Sequence, residues 1–285
     1  MTSHDVVARV RLILNERRVG HAGTLDPMAT GLLIVAVGPS TRLLRFAQAE
    51  VKRYRGTVQL GAATDSLDSD GVVIEERSVP PLTASAMSVA AHRMMGAQRQ
   101  TPPMVSALKS QGQRLHHLAR LGVEVERAER DITIGAFELT PTDDPHRWDF
   151  DVECSTGTYV RVLLSDLAVR LGTVGHLCAL RRLSSGSHLV SDAVTLEQLS
   201  DGVERGDSYV RPPQSFVRHL ESVVLNVDEE RRVRVGQKLK RTDGIDAREV
   251  AALTSSGQLV GILIGRPTDW KPEVVLPVEL EHEGR

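Results

Sequence analysis

Gly20-His21-Ala22-Gly23-Thr24-Leu25-Asp26-Pro27-Met28-Ala29-Thr30-Gly31, followed by the apolar run Leu32 to Val37, is the stretch on which the reading of this chain turns. Three glycines, a proline and two threonines in twelve residues describe a backbone held in a special shape. Glycine admits positive φ and proline fixes φ near −65°. Asp26 is the single carboxylate inside, and Pro27 biases it away from the α region toward an extended conformation. Taken alone, an Asp-Pro in such a turn reads as a turn cap. A lone acid on a rigid loop that feeds a buried strand also suits a catalytic placement.

Further words follow in order: Lys52-Arg53-Tyr54, Thr64-Asp65-Ser66-Leu67-Asp68-Ser69-Asp70-Gly71, Pro102-Pro103-Met104-Val105-Ser106-Ala107-Leu108-Lys109, Gly157-Thr158-Tyr159-Val160-Arg161 and Leu180-Arg181-Arg182. Together with the His21–Gly31 word, they make residues 1 to about 200 resemble the bacterial TruB family of tRNA pseudouridine synthases. The resemblance implies an α+β pseudouridine synthase fold with a mixed, mostly antiparallel central sheet flanked by helices and loops. It also implies a small, mostly β, PUA-like C-terminal domain. The expected division is a catalytic domain over 1–210, carrying an RNA-gripping insertion at about 80–130, and an RNA-binding domain over 217–285.

Composition sets outer bounds. With 285 residues, the chain can bury a substantial core. A hydrophobic content of 41% and a charged content of 25% fit an ordinary globular protein. The net charge of −2 means that any basic nucleic-acid surface must be local. Cys154 and Cys178 make no disulfide framework and no Cys-x-x-Cys pair, and the adjacent His116 and His117 lack partners at metal-ligand spacing. No signal-peptide pattern and no apolar run of about 18 residues is visible, so a cytoplasmic protein is expected.

The chain opens on a helix with apolar residues at Val6, Val10, Ile13 and Leu14, for which Ser3 is the expected cap. In the resembled family a further strand, ending in a Lys-Pro-x-Gly turn, precedes the Thr2-Ser3 pair. The expectation is therefore a start site assigned late or a truncated form with a frayed sheet edge. Leu32 to Val37 reads as a fully buried strand and Thr41 to Gln48 as a short helix. Residues 51–60 alternate, with Tyr54, Gly56, Val58 and Leu60 on one face. Residues 64–71 echo part of a calcium loop, but Arg77 stands where the bidentate glutamate belongs, so a loop between two strands is expected. Thr83 to Met95 reads as a helix. Asp131 to Leu139 and Trp148 to Cys154 read as strands, the second with Trp148, Phe150, Val152 and Cys154 on one face. A helix follows, with Val160, Leu163, Leu164, Leu167 and Leu171 inward. Arg211 to Ser215 reads as a linker, and Arg231, Arg232, Arg234, Lys238, Lys240 and Arg241 form the densest basic patch.

What the resemblance implies for chemistry is specific. Asp26 would be the essential carboxylate, Tyr54 would stack on the base, and Arg161 would pair with Asp26. Tyr159 and Leu180 would line the pocket, and His21 would help hold a flipped uridine. Lys109, Arg114, Lys238, Lys240 and Arg241 would hold tRNA. The substrate would be the uridine at position 55 in the T loop, the enzyme a monomer, and the reaction free of cofactor and metal. No phosphate loop or dinucleotide fingerprint is visible. Two competing classes remain open: a catalytically impaired tRNA-binding or folding protein, suggested by the missing first strand, and the guide-RNA-dependent relative that works inside a larger particle.

Overall fold

The computed structural model describes residues 1–48, 51–106, 109–110, 112–115, 118, 121–123, 125–241 and 244–278. It has two compact units. The first comprises Met1–Ser3, Gly23–Leu33 and Gln48–Ala193; the second comprises His4–Ala22, Ile34–Ala47 and Val194–Arg285.

The first unit is built on a seven-stranded sheet. Its long strands are β1 (Lys52–Leu60), β2 (Gly96–Gln100), β3 (Arg130–Pro141), β4 (Arg147–Cys154) and β5 (Gly175–Ser185). Across the sheet the order is His188–Leu189, β5, β1, β4, β3, β2, all antiparallel. Thr30–Gly31 adds to β5 in parallel, so the sheet is mixed and mostly antiparallel, as the resemblance implied. The alternation read from the sequence is real. Tyr54, Val58 and Leu60 of β1 and Trp148, Phe150, Val152 and Cys154 of β4 are all buried in one apolar cluster. The helix Val160–Arg170 covers that face with Val160, Leu163, Leu164 and Leu167, each large side chain worth about 1.5–3 kcal/mol of burial. Thr83 caps the helix Ala84–His92 through the Ala86 amide and adds Met87 and Ala91 to the same core.

Gly56 is where β1 must have no side chain. A Cβ there would run into the Ala179 carbonyl and come within 2.8 Å of the Phe150 ring. The bare backbone lets β5 close over β1, with Leu180 directly opposite Gly56. Gly31 plays the same part at the end of the Asp26 loop. Its φ is +95°, and an added Cβ would lie 2.8 Å from the Arg182 nitrogen.

In the second unit, Val19–Ala22 pairs antiparallel with Ile34–Val37 as a two-stranded ladder. Ile34 and Ala36 are buried, while Val35 and Val37 are only half-buried. The fully buried strand expected over Leu32 to Val37 is therefore shorter and more open, because a two-stranded ladder is not enclosed as a central strand is. The helix Ser3–Ile13 buries Val7 and Val10. Ser3 is its first residue rather than its cap; the Ser3 hydroxyl instead accepts from the Leu25 amide at 3.0 Å.

Ser222–Val224, Leu239–Lys240, Glu249–Leu253, Leu259–Gly265 and Asp269–Val275 make a five-stranded sheet around Val250, Val260, Leu263 and Trp270. The helix Val227–Arg234 carries a capping box in which Asn226 and Glu229 satisfy each other's backbone amides. The stretch read as a linker is packed: Pro213–Phe216 is a 3-10 turn with Ser215 and Phe216 buried. Among the described residues no helix is long and apolar enough to cross a membrane.

Candidate active site

The Asp26 loop is anchored at both ends within the first unit. Ser3 holds the Leu25 amide, the Ala29 amide turns back to the Asp26 carbonyl at 2.9 Å, and the Thr30 hydroxyl donates to the Leu180 carbonyl at 3.3 Å. Leu25, Met28 and Ala29 pack on the apolar core. Asp26 is thus carried on a loop with little freedom to move, and 31% of its side chain still reaches solvent.

Arg161 meets it from the first turn of the Val160–Arg170 helix. Nε donates to one Asp26 oxygen at 2.9 Å and Nη2 to the other at 3.0 Å, the bidentate fork that a guanidinium offers and an ammonium cannot. The remaining donors are also used. Nη1 donates to the Ser66 carbonyl at 2.6 Å and lies 3.3 Å from an Asp68 oxygen, while Nη2 also donates to the Val105 carbonyl at 2.9 Å. The Arg161 side chain is 3% exposed. Two carboxylates therefore face one enclosed cation. Burial pushes the Asp26 carboxyl above its ordinary value; the charge and hydrogen bonds of Arg161 pull it partly back, and Asp68 and Asp70 add smaller upward pushes.

Asp68 is the partner that sequence reading missed. The 64–71 word does form a loop between two strands, Ala62–Thr64 and Val73–Glu76. Inside it the Thr64 hydroxyl holds the Asp68 carbonyl at 2.7 Å, and the Ser66 hydroxyl donates to the Asp68 carboxylate. The Leu177 amide of β5 donates to the Leu67 carbonyl at 3.1 Å. Leu67 sits at φ +63°, a strained position for a leucine, next to the residue that reaches Arg161. An aspartate two residues before another in a Ser/Gly-rich loop carries no signal of a partner about ninety positions away.

Tyr54 is buried on β1, with Arg182 as its direct cross-strand neighbour on β5. Burial pushes the phenol up, and the charge of Arg182 offsets part of that. Tyr159 is the N-cap of the Arg161 helix. Its backbone is clamped by the Gln100 side-chain amide, which accepts from the Tyr159 N–H at 2.8 Å and donates to its carbonyl at 3.1 Å. Burial pushes the Tyr159 phenol up, and the nearby Ser106 side chain and Arg130 charge offset part of that. Leu180 is buried in the same cluster as Tyr54. Five of the expected site residues, Asp26, Tyr54, Tyr159, Arg161 and Leu180, thus lie in one unit around one Asp–Arg pair.

The pattern of residues matches a known family model, that of the TruB pseudouridylate synthase N-terminal domain, over residues 11–160. The chain belongs to the TruB family. A second model, the tRNA pseudouridylate synthase B C-terminal domain, matches residues 161–230. A tRNA pseudouridine synthase B from Opitutus terrae is 48% identical over 198 residues, 70% of this chain and 82% of that one. Another from Moorella thermoacetica is 41% identical over 244 residues, 84% of this chain and 80% of that one. Among solved structures, an H/ACA ribonucleoprotein bound to a substrate RNA containing 2′-deoxyuridine superposes with a TM-score of 0.75 at 22% identity, covering 98% of this chain and 83% of that one. At that identity the match shows the pseudouridine synthase fold alone. As a TruB-family member, the chain is an enzyme of the isomerase class.

His21 belongs to the second unit, on the Val19–Ala22 strand opposite Val35, with its ring edge-on to His4 at 6.4 Å. Lys109 and Arg114 face each other across a two-residue ladder; their side chains lie outside what is described, as do Gln111, His116, His117 and Arg120 altogether. Lys240 is exposed, and Lys238 is exposed with its ammonium 3.4 Å from Asp269. Arg241 is turned to its own unit: it stacks 4.5 Å over the Trp270 ring and donates to the carbonyls of Ile245 and Arg266. Among the described residues no group of three or more His, Cys, Asp or Glu could hold a metal ion.

Proposed function

We propose that this TruB-family tRNA pseudouridine synthase acts on the uridine at position 55 of the T loop, with Asp26 as its catalytic carboxylate. Formation of pseudouridine in tRNA is the activity that its family and its similarity to tRNA pseudouridine synthase B proteins support. The observation that carries the assignment to Asp26 is the two-point grip of Arg161 on both oxygens of a carboxylate that still faces solvent. A purely structural ion pair has no need of that opening.

In this reading the uridine leaves its stack, at a cost of a few kcal/mol that is least in a loop. Tyr54 clamps the base, Leu180 and Tyr159 line its pocket, and His21 supports the flipped arrangement. Arg161 keeps Asp26 charged where burial favours the neutral acid and fixes which oxygen meets the substrate. The N1–C1′ bond breaks, the uracil turns within the closed pocket, and C5 joins C1′. C5 gives up its proton and N1 gains one, so the reaction is an isomerisation that consumes nothing and calls for no cofactor. The chain acts as a monomer without a guide RNA. Residues 1–210 serve catalysis and 217–285 form a PUA-like RNA-binding module; Lys109, Arg114, Lys238 and Lys240 meet tRNA phosphates, and Arg241 contributes by holding the module's fold.

Tritium release from C5-labelled uridine in a T-arm transcript, with no other protein or RNA added, tests this. Release confined to position 55 is expected. No release, or release only when a guide RNA is supplied, overturns the reading.

A further inference from the structure

Arg182 is a buried charge outside the Asp26–Arg161–Asp68 cluster. Its residue is 1% exposed, and among the described residues no carboxylate lies within ion-pair distance of it. A cation so enclosed is costly unless its donors are all used. Here two of its nitrogens meet backbone carbonyls on either side of the Asp26 loop. Nε donates to the Leu32 carbonyl at 2.6 Å and Nη2 to the Gly23 carbonyl at 3.3 Å, and the guanidinium lies near enough to the Tyr54 phenol to offset part of the upward push of burial on it. Gly23 and Leu32 flank the loop that carries Asp26. The Arg182 backbone joins in: its carbonyl accepts from the Leu32 amide at 2.9 Å, and Gly31 pairs with it across the parallel ladder. Tyr54 is its directly opposed residue on β1, so both side chains leave the sheet on one face.

We propose that Arg182 is a positioning residue whose planar fork holds both shoulders of the Asp26 loop at the strand position that faces Tyr54, fixing the carboxylate relative to the ring that clamps the base. This rests on the roles given above to Asp26 and Tyr54. A displacement of about 1 Å between reacting groups costs on the order of a hundredfold in rate, so a tie that crosses the loop and the sheet acts on turnover without touching substrate. A lysine keeps the charge but lacks the planar fork that meets two carbonyls from separate nitrogens.

The test is single-turnover pseudouridine formation at saturating tRNA, followed as total product, for wild type, Arg182→Lys, Tyr54→Phe and the double variant. Arg182→Lys should slow the step by at least about tenfold while the tRNA Kd stays within about threefold. In the Tyr54→Phe background the same change should cost clearly less, since part of what it removes is already gone. Equal factors in the two backgrounds, a rate for Arg182→Lys within twofold of wild type, or an affinity loss matching the rate loss each overturn the proposal. If Tyr54→Phe turns nothing over, the Arg182→Lys rate and Kd decide alone. Arg182→Gln carries the same expectation should the lysine variant not fold, and failure of both to fold marks Arg182 as a core residue and overturns the positioning role. A wild-type enzyme that modifies tRNA elsewhere than position 55 overturns the position proposed above and leaves this test intact.

Discussion

Two arginines in this protein are held by several oxygens each, and they do different work. Arg161, in the first unit, has its fork on Asp26, a second carboxylate at Asp68, and two backbone carbonyls. Arg241, in the second, lies on the Trp270 ring and donates to carbonyls, with only a loose 3.6 Å approach to the exposed Asp246. One guanidinium grips a carboxylate that opens to solvent; the other closes a turn over an indole. Charge alone does not distinguish a site from a rivet. What the donors touch does.

The sharpest way to break the contrast is at Asp26. Asp26→Asn keeps the shape and removes the charge, and turnover should fall by about a thousandfold or more with tRNA affinity within a few-fold. A variant retaining a tenth of the wild-type single-turnover rate removes Asp26 from the chemistry. Next in size is Asp68→Asn, which takes one of two carboxylates from an enclosed cation. We expect a stability loss of about 3 kcal/mol by urea unfolding and a rate loss of about tenfold. A stability loss with an unchanged rate makes Asp68 a fold element only. Gln100→Ala removes the amide that clamps the Tyr159 backbone, two residues from Arg161. It should cost about 1–3 kcal/mol of stability and only a few-fold in rate.

On the other side of the comparison stands Arg241→Met. It should lower the melting temperature through the lost carbonyl and ring contacts, worth about 1–2 kcal/mol, and leave the rate at saturating tRNA unchanged. Neutralising Lys238 and Lys240 should do the opposite: leave melting unchanged and flatten the fall of affinity with log[salt]. If Arg241→Met flattens that slope as much as the lysine pair does, Arg241 faces RNA after all and the contrast drawn here fails.

Much of this was legible in the chain because the signals were local. The alternation through Tyr54, Val58 and Leu60, the Val160–Arg170 face and the glycines that let the Asp26 loop bend are properties of short windows. What stayed hidden was long-range pairing of polar groups. Asp68, Arg182 and Gln100 look like ordinary loop and strand residues until β5 brings the 64–71 loop and Arg182 to the site, and β2 ends against Tyr159. Arg241 sits in a run of cations, but its partners, Trp270 and the carbonyls of Ile245 and Arg266, come from strands and turns that the run does not reveal. The strand 34–37 was read as enclosed because apolar composition does not tell a central strand from one in a two-stranded ladder.

The central claim is that Arg161 keeps Asp26 ionised in a place where burial raises its pKa. The direct measurement is the pH dependence of the single-turnover rate, at saturating tRNA, for wild type and Arg161→Met. In the mechanism proposed above the ionised form of Asp26 is the active one, so the rate should fall as pH drops through its pKa. Without the guanidinium, desolvation acts with less opposition and the pKa climbs, so the acid limb of Arg161→Met should move to higher pH and its residual activity should rise across a range where wild type is already flat. A variant that is slower by one constant factor at every pH, with the acid limb where wild type has it, would contradict the claim and leave Arg161 as a structural ion-pair partner.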